Sequence, residues 1–175
     1  MAQLRAAAAE AKVPTLASGW AGEVQVAWGY YEHTVSPAAA DTVVFCKLPR
    51  GALIIGGAVK GDKLDSAGSG SSLASINIGL DAAVKTPDGT SVSASSTSNC
   101  LLAALNLGPD TAAVTGYKPE AGVRNVPLGG LLLTHGPLLT TVEPTHAYVT
   151  WTASALAFAT GTMILEVHYK MAQHA

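Results

Sequence analysis

The segment from Thr162 to Lys170 constrains the fold more than any other part of this sequence. Apolar and polar residues alternate along it with one exception, Ile164, and the apolar positions are Met163, Leu165, Val167 and Tyr169. Side chains on a β-strand point to opposite faces with a period of two, whereas a helix repeats every 3.6 residues. The segment therefore predicts a β-strand with one buried face.

Other segments have the same period or are short runs of β-branched residues bounded by turn signals. The Leu48–Gly51 and Thr86–Gly89 segments each place Pro and Gly where β-turns favour them, and the first predicts a hairpin into residues 52–55. Strands are predicted at 24–31, 43–46, 52–55, 74–80, 138–142, 147–153 and 162–170, with a polar edge strand at 90–98 and a further candidate at 130–134. About eight strands without an alternating βα pattern predict an all-β fold, an antiparallel two-sheet sandwich with a jelly-roll-like topology.

Residues 99–107 are compatible with two structures. Leu101, Ala103, Leu105 and Leu107 alternate as they would on a strand. Ser98 or Asn99 could equally cap a two-turn helix that Gly108 would close. We favour the short helix.

The strand phases also predict which residues form the core. Residues expected to be buried are Ile76, Ile78, Val149, Trp151, Leu165 and Val167. In the first strand, Val24, Val26, Trp28 and Tyr30 share one face. Because Trp28 and Trp151 are each in phase with apolar neighbours, both are predicted to pack in the core.

Residues 1–20 differ from the rest and are predicted to form an N-terminal arm, with residues 21–175 as the sandwich domain. Gln3 to Lys12 has helix propensity, and Pro14 ends it. Such a short helix is marginal alone in water, so the arm either frays or docks on a neighbouring molecule. Trp20 has no strand phase and is a candidate intermolecular anchor. The predicted partner contacts are Leu4, Arg5, Val13, Leu16 and Trp20.

Charge and hydropathy exclude two classes of partner. Ten Lys and Arg against twelve Asp and Glu give a net charge of −2 without a basic run, which argues against nucleic-acid binding. No apolar stretch reaches the ~18 residues that a membrane-spanning helix needs. Only 13% of residues are charged, against about 25% in average soluble domains, which suggests that other subunits cover much of the surface.

No motif for catalysis or metal binding is present. His33, His135, His146 and His168 are scattered, and no paired Cys or His occurs at zinc-ligand spacing. The sequence also lacks the Gly-x-Ser-x-Gly pattern of serine hydrolases. Cys46 and Cys100 have apolar neighbours and are expected to be buried and reduced. We predict that the protein is not an enzyme and binds no cofactor and no metal.

Four segments in order resemble a pattern in small β-sandwich virion proteins of tailed bacteriophages. These are KLPRGA at 47–52, LDS at 64–66, SINIGL at 75–80 and MILEVHY at 163–169. They are similar to the turns, the short alternating strand ending in Gly and the final strand ending in Tyr of capsid decoration or cement proteins. The resemblance covers about residues 24–170.

The resemblance implies a structural virion protein on the capsid exterior, assembled in the host cytoplasm. Such a protein would decorate and stabilise the shell by non-covalent contacts with the major capsid protein and with other copies of itself, with no nucleic acid or membrane as partner. The alternative is a tail or fibre adhesive module that binds host glycan, which an exposed aromatic pair beside polar loops would favour.

Overall fold

The computed structural model describes residues 3–5, 23–62, 64, 75–86, 89–93, 99–106, 124–127, 139–153 and 158–171. Within these ranges the chain forms β-strands and no α-helix, and hence no helix that could span a membrane. The strands are β1 (Gln3–Arg5), β2 (Gln25–His33), β3 (Thr42–Leu48), β4 (Ala52–Gly61), β5 (Ser75–Leu80), β6 (Val84–Lys85), β7 (Ser91–Val92), β8 (Leu102–Asn106), β9 (Arg124–Pro127), β10 (Thr140–Thr141), β11 (Thr145–Ala153) and β12 (Gly161–Met171).

The described strands form two facing sheets. The smaller sheet has the order β1-β3-β11-β5-β8, and the larger has the order β2-β12-β4-β10-β6-β7, with β9 also paired to β4. From β2 to β5 and again from β10 to β12, each successive strand lies in the opposite sheet. This alternation places β2, β12, β4 and β10 over β3, β11, β5 and β8, which is the two-sheet jelly roll. The predicted fold class is confirmed.

The core lies between the sheets and is built from the inward faces of their strands. The six residues that the sequence predicted to be buried, Ile76, Ile78, Val149, Trp151, Leu165 and Val167, are all completely inaccessible to solvent. Phe45, Leu48, Ile54 and Leu139 fill the space beside them. At about 25 cal/mol per Å² of apolar area removed from water, this burial is the main term that stabilises the domain.

The two predicted turns have different outcomes. Gly89 has a φ of +84° and its N–H donates to the carbonyl of Thr86, so the chain turns as predicted between β6 and β7. Gly51 likewise has a φ of +77°, which suits the turn after Leu48. The predicted hairpin is wrong, however, because β3 and β4 lie in different sheets and do not pair. The turn carries the chain across the sandwich.

The short helix favoured for residues 99–107 is also wrong. Leu102–Asn106 forms strand β8, which pairs antiparallel with β5. The N–H of Leu101 donates to the carbonyl of Ile78 at 3.0 Å, and both Leu101 and Leu102 are buried. Pairing with a distant strand outweighs the local capping signals, because it satisfies the backbone and buries apolar side chains together.

Part of the predicted N-terminal helix is wrong as well. Gln3–Arg5 forms strand β1, which pairs in parallel with Thr42–Val44 of β3. Leu4 and Arg5 therefore belong to the chain's own smaller sheet, and their contact with a partner stays a prediction. Val13, Leu16 and Trp20 lie outside the described residues, as do the strand candidate at 130–134 and residues 94–98 of the polar edge strand.

Candidate interaction surface

The outward face of β2 is the largest unexpected feature of the surface. The apolar side chains Val26, Trp28 and Tyr30 of this strand are 41%, 54% and 52% exposed, and Val24, directly before the strand, is 53% exposed. We call these four residues the β2 face. Scattered exposed apolar residues are ordinary, but a contiguous apolar stripe marks a surface that another molecule covers.

The β2 face points outward because the inward side of β2 has no room for large residues in the middle of the strand, at Ala27 and Gly29. A Cβ atom on Gly29 would overlap the carbonyl oxygen of Phe45 and lie 2.8 Å from its carbonyl carbon. Ala27, two residues earlier on the same inward side, is fully buried. Strand β2 thus passes close over the backbone of β3, and the prediction that Trp28 packs in the core is wrong.

Strand β12 supplies the neighbours of the β2 face. Direct pairing places Ile164 beside Tyr30, and Glu166 beside Trp28. Lys60 Nζ donates to both carboxylate oxygens of Glu166 at 2.8 Å, from the adjacent strand β4. This partly exposed ion pair adds little stability by itself. It neutralises the charge of the Glu166 carboxylate, which borders the β2 face.

Strand β2 also ends its sheet. Among the described residues it pairs only with β12, in a register without a shift over nine residues. The range Gln25–His33 contains no Lys and no Pro, and Glu32 is its single carboxylate. Natural proteins usually protect exposed edges with such residues, with bulges or with very short strands. Apart from Glu32, the described edge of β2 has none of these protections.

The outward face of the smaller sheet is polar by contrast. Along β11 the residues between buried positions are His146, Tyr148, Thr150 and Thr152. His146 Nδ1 lies 2.8 Å from Asp81 Oδ2, and Asp81 Oδ1 accepts from the Thr145 hydroxyl and the His146 N–H. Although partial burial raises the pKa of Asp81, these hydrogen bonds outweigh burial and lower it overall. Asp81 and His146 are therefore hydrogen-bonded to each other within the chain.

Two buried polar side chains lie where the end of β2 meets β11. The His33 ring packs edge-on against Trp151 with 5.4 Å between ring centroids, and against Tyr31 at 4.8 Å. His33 Nε2 and Trp151 Nε1 make no hydrogen bond within the described structure. Burial lowers the pKa of His33 from 6.5 to about 4, because the imidazolium would lose its hydration there. His33 is therefore neutral at physiological pH.

A cavity and the possible metal ligands were the other candidate sites among the described residues. An open cavity of about 460 Å³ is lined by Arg50, Gly51, Lys85, Ser91, Thr140, Thr141 and Val142, without a carboxylate or imidazole. The hydroxyl of Thr141 is already engaged, since it donates to the Pro49 carbonyl and accepts from the Ala52 N–H. No group of three His, Cys, Asp or Glu is placed to hold a metal ion in the described ranges.

The two cysteines are buried free thiols, as predicted. Burial raises the pKa of both Cys46 and Cys100 to about 12. A thiol must ionise to act as a nucleophile, so these two are inert at neutral pH. Of the features described, the β2 face is the one that exposes several large apolar side chains together.

The sequence contained one signal for this surface. The predicted partner contacts lie in the first twenty residues, and of the β2 face only Trp28 is predicted to pack in the core. The small residues Ala27 and Gly29 alternate with Val26, Trp28 and Tyr30, so neither face of the middle of β2 is clearly polar. Such a strand has no obvious outer side, which distinguishes it from β12.

No family model matches the chain, and no curated protein matches it in sequence. Solved structures do share its fold. A chain of the cyanophage Pam1 capsid asymmetric unit is 21% identical with a TM-score of 0.59, over 93% of this chain and 94% of that one. A chain of the capsid of Ralstonia phage GP4 is 18% identical with a TM-score of 0.62, over 99% of this chain and 100% of that one. The fold is thus one that chains of two phage capsids have, as the sequence resemblance implied.

Proposed function

We propose that this protein is a structural component of a tailed-phage virion that decorates the capsid exterior and stabilises the shell. It binds the major capsid protein and other copies of itself through non-covalent contacts, and it catalyses no reaction. The observation that carries the proposal is the similarity of this fold to chains of two phage capsids, which extends over nearly the full length of this chain and of the matched chains. It is assembled with the particle in the host cytoplasm.

The surface supports this proposal. A protein that works alone in solution gains nothing from exposing Val24, Val26, Trp28 and Tyr30 in one stripe, whereas a protein built into a lattice buries them. The low content of charged residues agrees, because the solubility of a free monomer depends strongly on surface charge. Nucleic acid and membrane are not expected partners.

The arm is part of the proposal. Leu4, Arg5, Val13, Leu16 and Trp20 are assigned to contacts with neighbouring molecules, in addition to the β2 face. Deleting residues 1–20 should weaken the binding of the protein to the particle. The melting temperature of the domain should remain nearly unchanged. Equal binding by the full-length and shortened proteins would show that residues 1–20 do not contribute to attachment.

The decisive experiment adds the purified protein to capsids that lack it. Binding should saturate, and the bound capsids should resist higher temperature or osmotic shock, because a ligand specific for the assembled shell stabilises it by an amount that grows with the ligand concentration relative to its Kd. Apolar contacts are weakly screened, so binding should survive moderate salt. Capsids that bind the protein but burst at an unchanged temperature would contradict the stabilising role.

One observation favours a second candidate, a tail or fibre module that binds host glycan. Trp28 and Tyr30 form an exposed aromatic pair on the same face of β2, and aromatic faces can stack on sugar rings. A glycan array tests this directly. Selective glycan binding that Trp28→Ala abolishes, together with location at the tail tip of purified particles, would favour the adhesive function over the decorating one.

A further inference from the structure

We propose that two copies of this protein pair through β2, edge to edge and antiparallel, across a two-fold axis. The inference rests on the self-association in the proposed function and names the surface that performs it. It would join two larger sheets into one continuous sheet through the dimer. The first reason is the backbone of the edge strand itself.

An unpaired strand edge presents N–H and C=O groups that can accept another strand. At the other ends of the two sheet orders lie β7 with two residues, β8 with five and β1 with three. Strand β2 has nine residues in an unbroken register with β12. Of these four strands, β2 is therefore the one long enough to template a stable pairing, a common mode of protein association.

The side chains give the second reason. A strand added beside β2 would place its own side chains against Val26, Trp28 and Tyr30, all of which are about half exposed. Cross-strand pairs of aromatic and β-branched residues are among the favourable pairs in sheets. Pairing would thus bury apolar area and satisfy backbone groups at the same time.

The position of the Glu32 carboxylate favours a second copy of β2 as the partner and the antiparallel direction of pairing. A two-fold axis at Trp28 places Trp28 opposite Trp28, Val26 opposite Tyr30, and Val24 opposite Glu32 of the second copy. At about 3.4 Å per residue, the two Glu32 carboxylates then lie about 27 Å apart. Parallel pairing in register would set Glu32 beside Glu32, which is unfavourable. The strand is therefore complementary to itself in the antiparallel direction, as an isologous interface requires.

The first test measures the mass of the full-length protein in solution by sedimentation. The wild type should form a dimer or a multiple of it, and Trp28→Lys should weaken dimerisation by at least about tenfold, since it sets two like charges at the centre. Thr150→Lys, on the polar outward face of β11, is the matched control and should leave the mass unchanged. Circular dichroism spectra that match the wild type, and equal melting of both variants at a concentration too low for dimerisation, show that they fold.

The second test probes the register by disulfide cross-linking. Trp28→Cys should form a disulfide-linked dimer under oxidising conditions, because the residue opposes itself. Tyr30→Cys should not, whereas the double variant Val26→Cys, Tyr30→Cys should. The native Cys46 and Cys100 are buried and do not interfere.

Three outcomes would overturn the inference: a monomeric wild type, a Trp28→Lys dimer as stable as the control, or equal cross-linking of the Trp28→Cys and Tyr30→Cys single variants. The capsid assay separates this inference from the proposed function. A monomer that still stabilises capsids defeats the pairing and leaves the decorating role intact. A β2-paired dimer that binds no capsid supports the pairing and contradicts the role.

Discussion

Strands β2 and β11 are each nine residues long, and each has a tryptophan in phase with apolar neighbours. Trp151 in β11 is completely buried, whereas Trp28 in β2 is half exposed. Periodicity thus shows which residues share a face of a strand, but it does not show which face lies inside. The space between the opposing backbones decides that.

In β11 the two faces differ in polarity, so the burial of one face is settled by the sequence. Thr150 and Thr152 alternate with Val149 and Trp151, and only the latter two can form core. In β2 the inward side has Ala27 and Gly29, which fit where β2 approaches β3 closely. The large side chains Val26, Trp28 and Tyr30 lie on the outer side, where they are about half exposed.

The strongest test of this contrast is to truncate the buried tryptophan. Trp151→Ala should lower the free energy of unfolding by about 3 to 5 kcal/mol, because it removes a large fully buried ring and leaves a cavity. Denaturant titration followed by circular dichroism measures the change. A loss below about 1 kcal/mol would mean that Trp151 is not part of a tightly packed core.

Filling the space under β2 should be nearly as damaging. Gly29→Ala should cost about 3 kcal/mol, since its methyl group would overlap the backbone of Phe45, which cannot rotate away. Gly56→Ala in β4 is the matched control, because a Cβ there meets no atom within 4 Å. Its effect should be close to zero. If both variants melted alike, β2 and β3 would not be in close approach.

His33, the buried last residue of β2, predicts that the stability of the fold depends on pH. The unfolded chain protonates His33 near pH 6.5, but the folded chain does so only near pH 4, so stability falls as the pH drops through this window. Between pH 7 and pH 5 the loss should be about 2 kcal/mol. His33→Phe should flatten the curve of stability against pH. An equally steep curve in that variant would assign the dependence to other groups.

The smallest effect on stability is expected at the exposed tryptophan. Trp28→Ala should change the free energy of unfolding by less than about 0.5 kcal/mol, as is usual for surface positions. The measurement needs dilute protein, because self-association would add its own concentration-dependent stability. A loss of unfolding free energy similar to that of Trp151→Ala would show that Trp28 is packed as tightly as Trp151.

Much of the fold could be predicted because several strands have one clearly apolar face. In β12, Met163, Leu165, Val167 and Tyr169 all lie inward as their alternation indicates. Likewise Ile76 and Ile78 of β5 are buried between polar neighbours. The sequence of such a strand predicts which face is buried, since turning the strand over would expose the apolar face and bury the polar one.

The failures occur where distant parts of the chain decide the outcome. Gln3–Arg5 has helix propensity but pairs with Thr42–Val44, and Leu102–Asn106 pairs with β5 despite nearby capping residues. The candidate surface was missed for a similar reason. Nothing local to Trp28 shows that Phe45 lies under Gly29, so its exposure follows only from the approach of two strands.

The position of β12 affects how the protein reaches this structure. Strand β12 is the last described strand in sequence, yet it lies between β2 and β4, so residues 161–169 pair with residues 25–33. Pairings this distant in sequence make folding slow, because the chain loses loop entropy before the contacts compensate for it. Until β12 arrives, β2 has neither edge paired within the larger sheet. The strand proposed for self-association therefore has two open edges during folding, and it can pair wrongly with another chain until β12 has been synthesised and has taken its place.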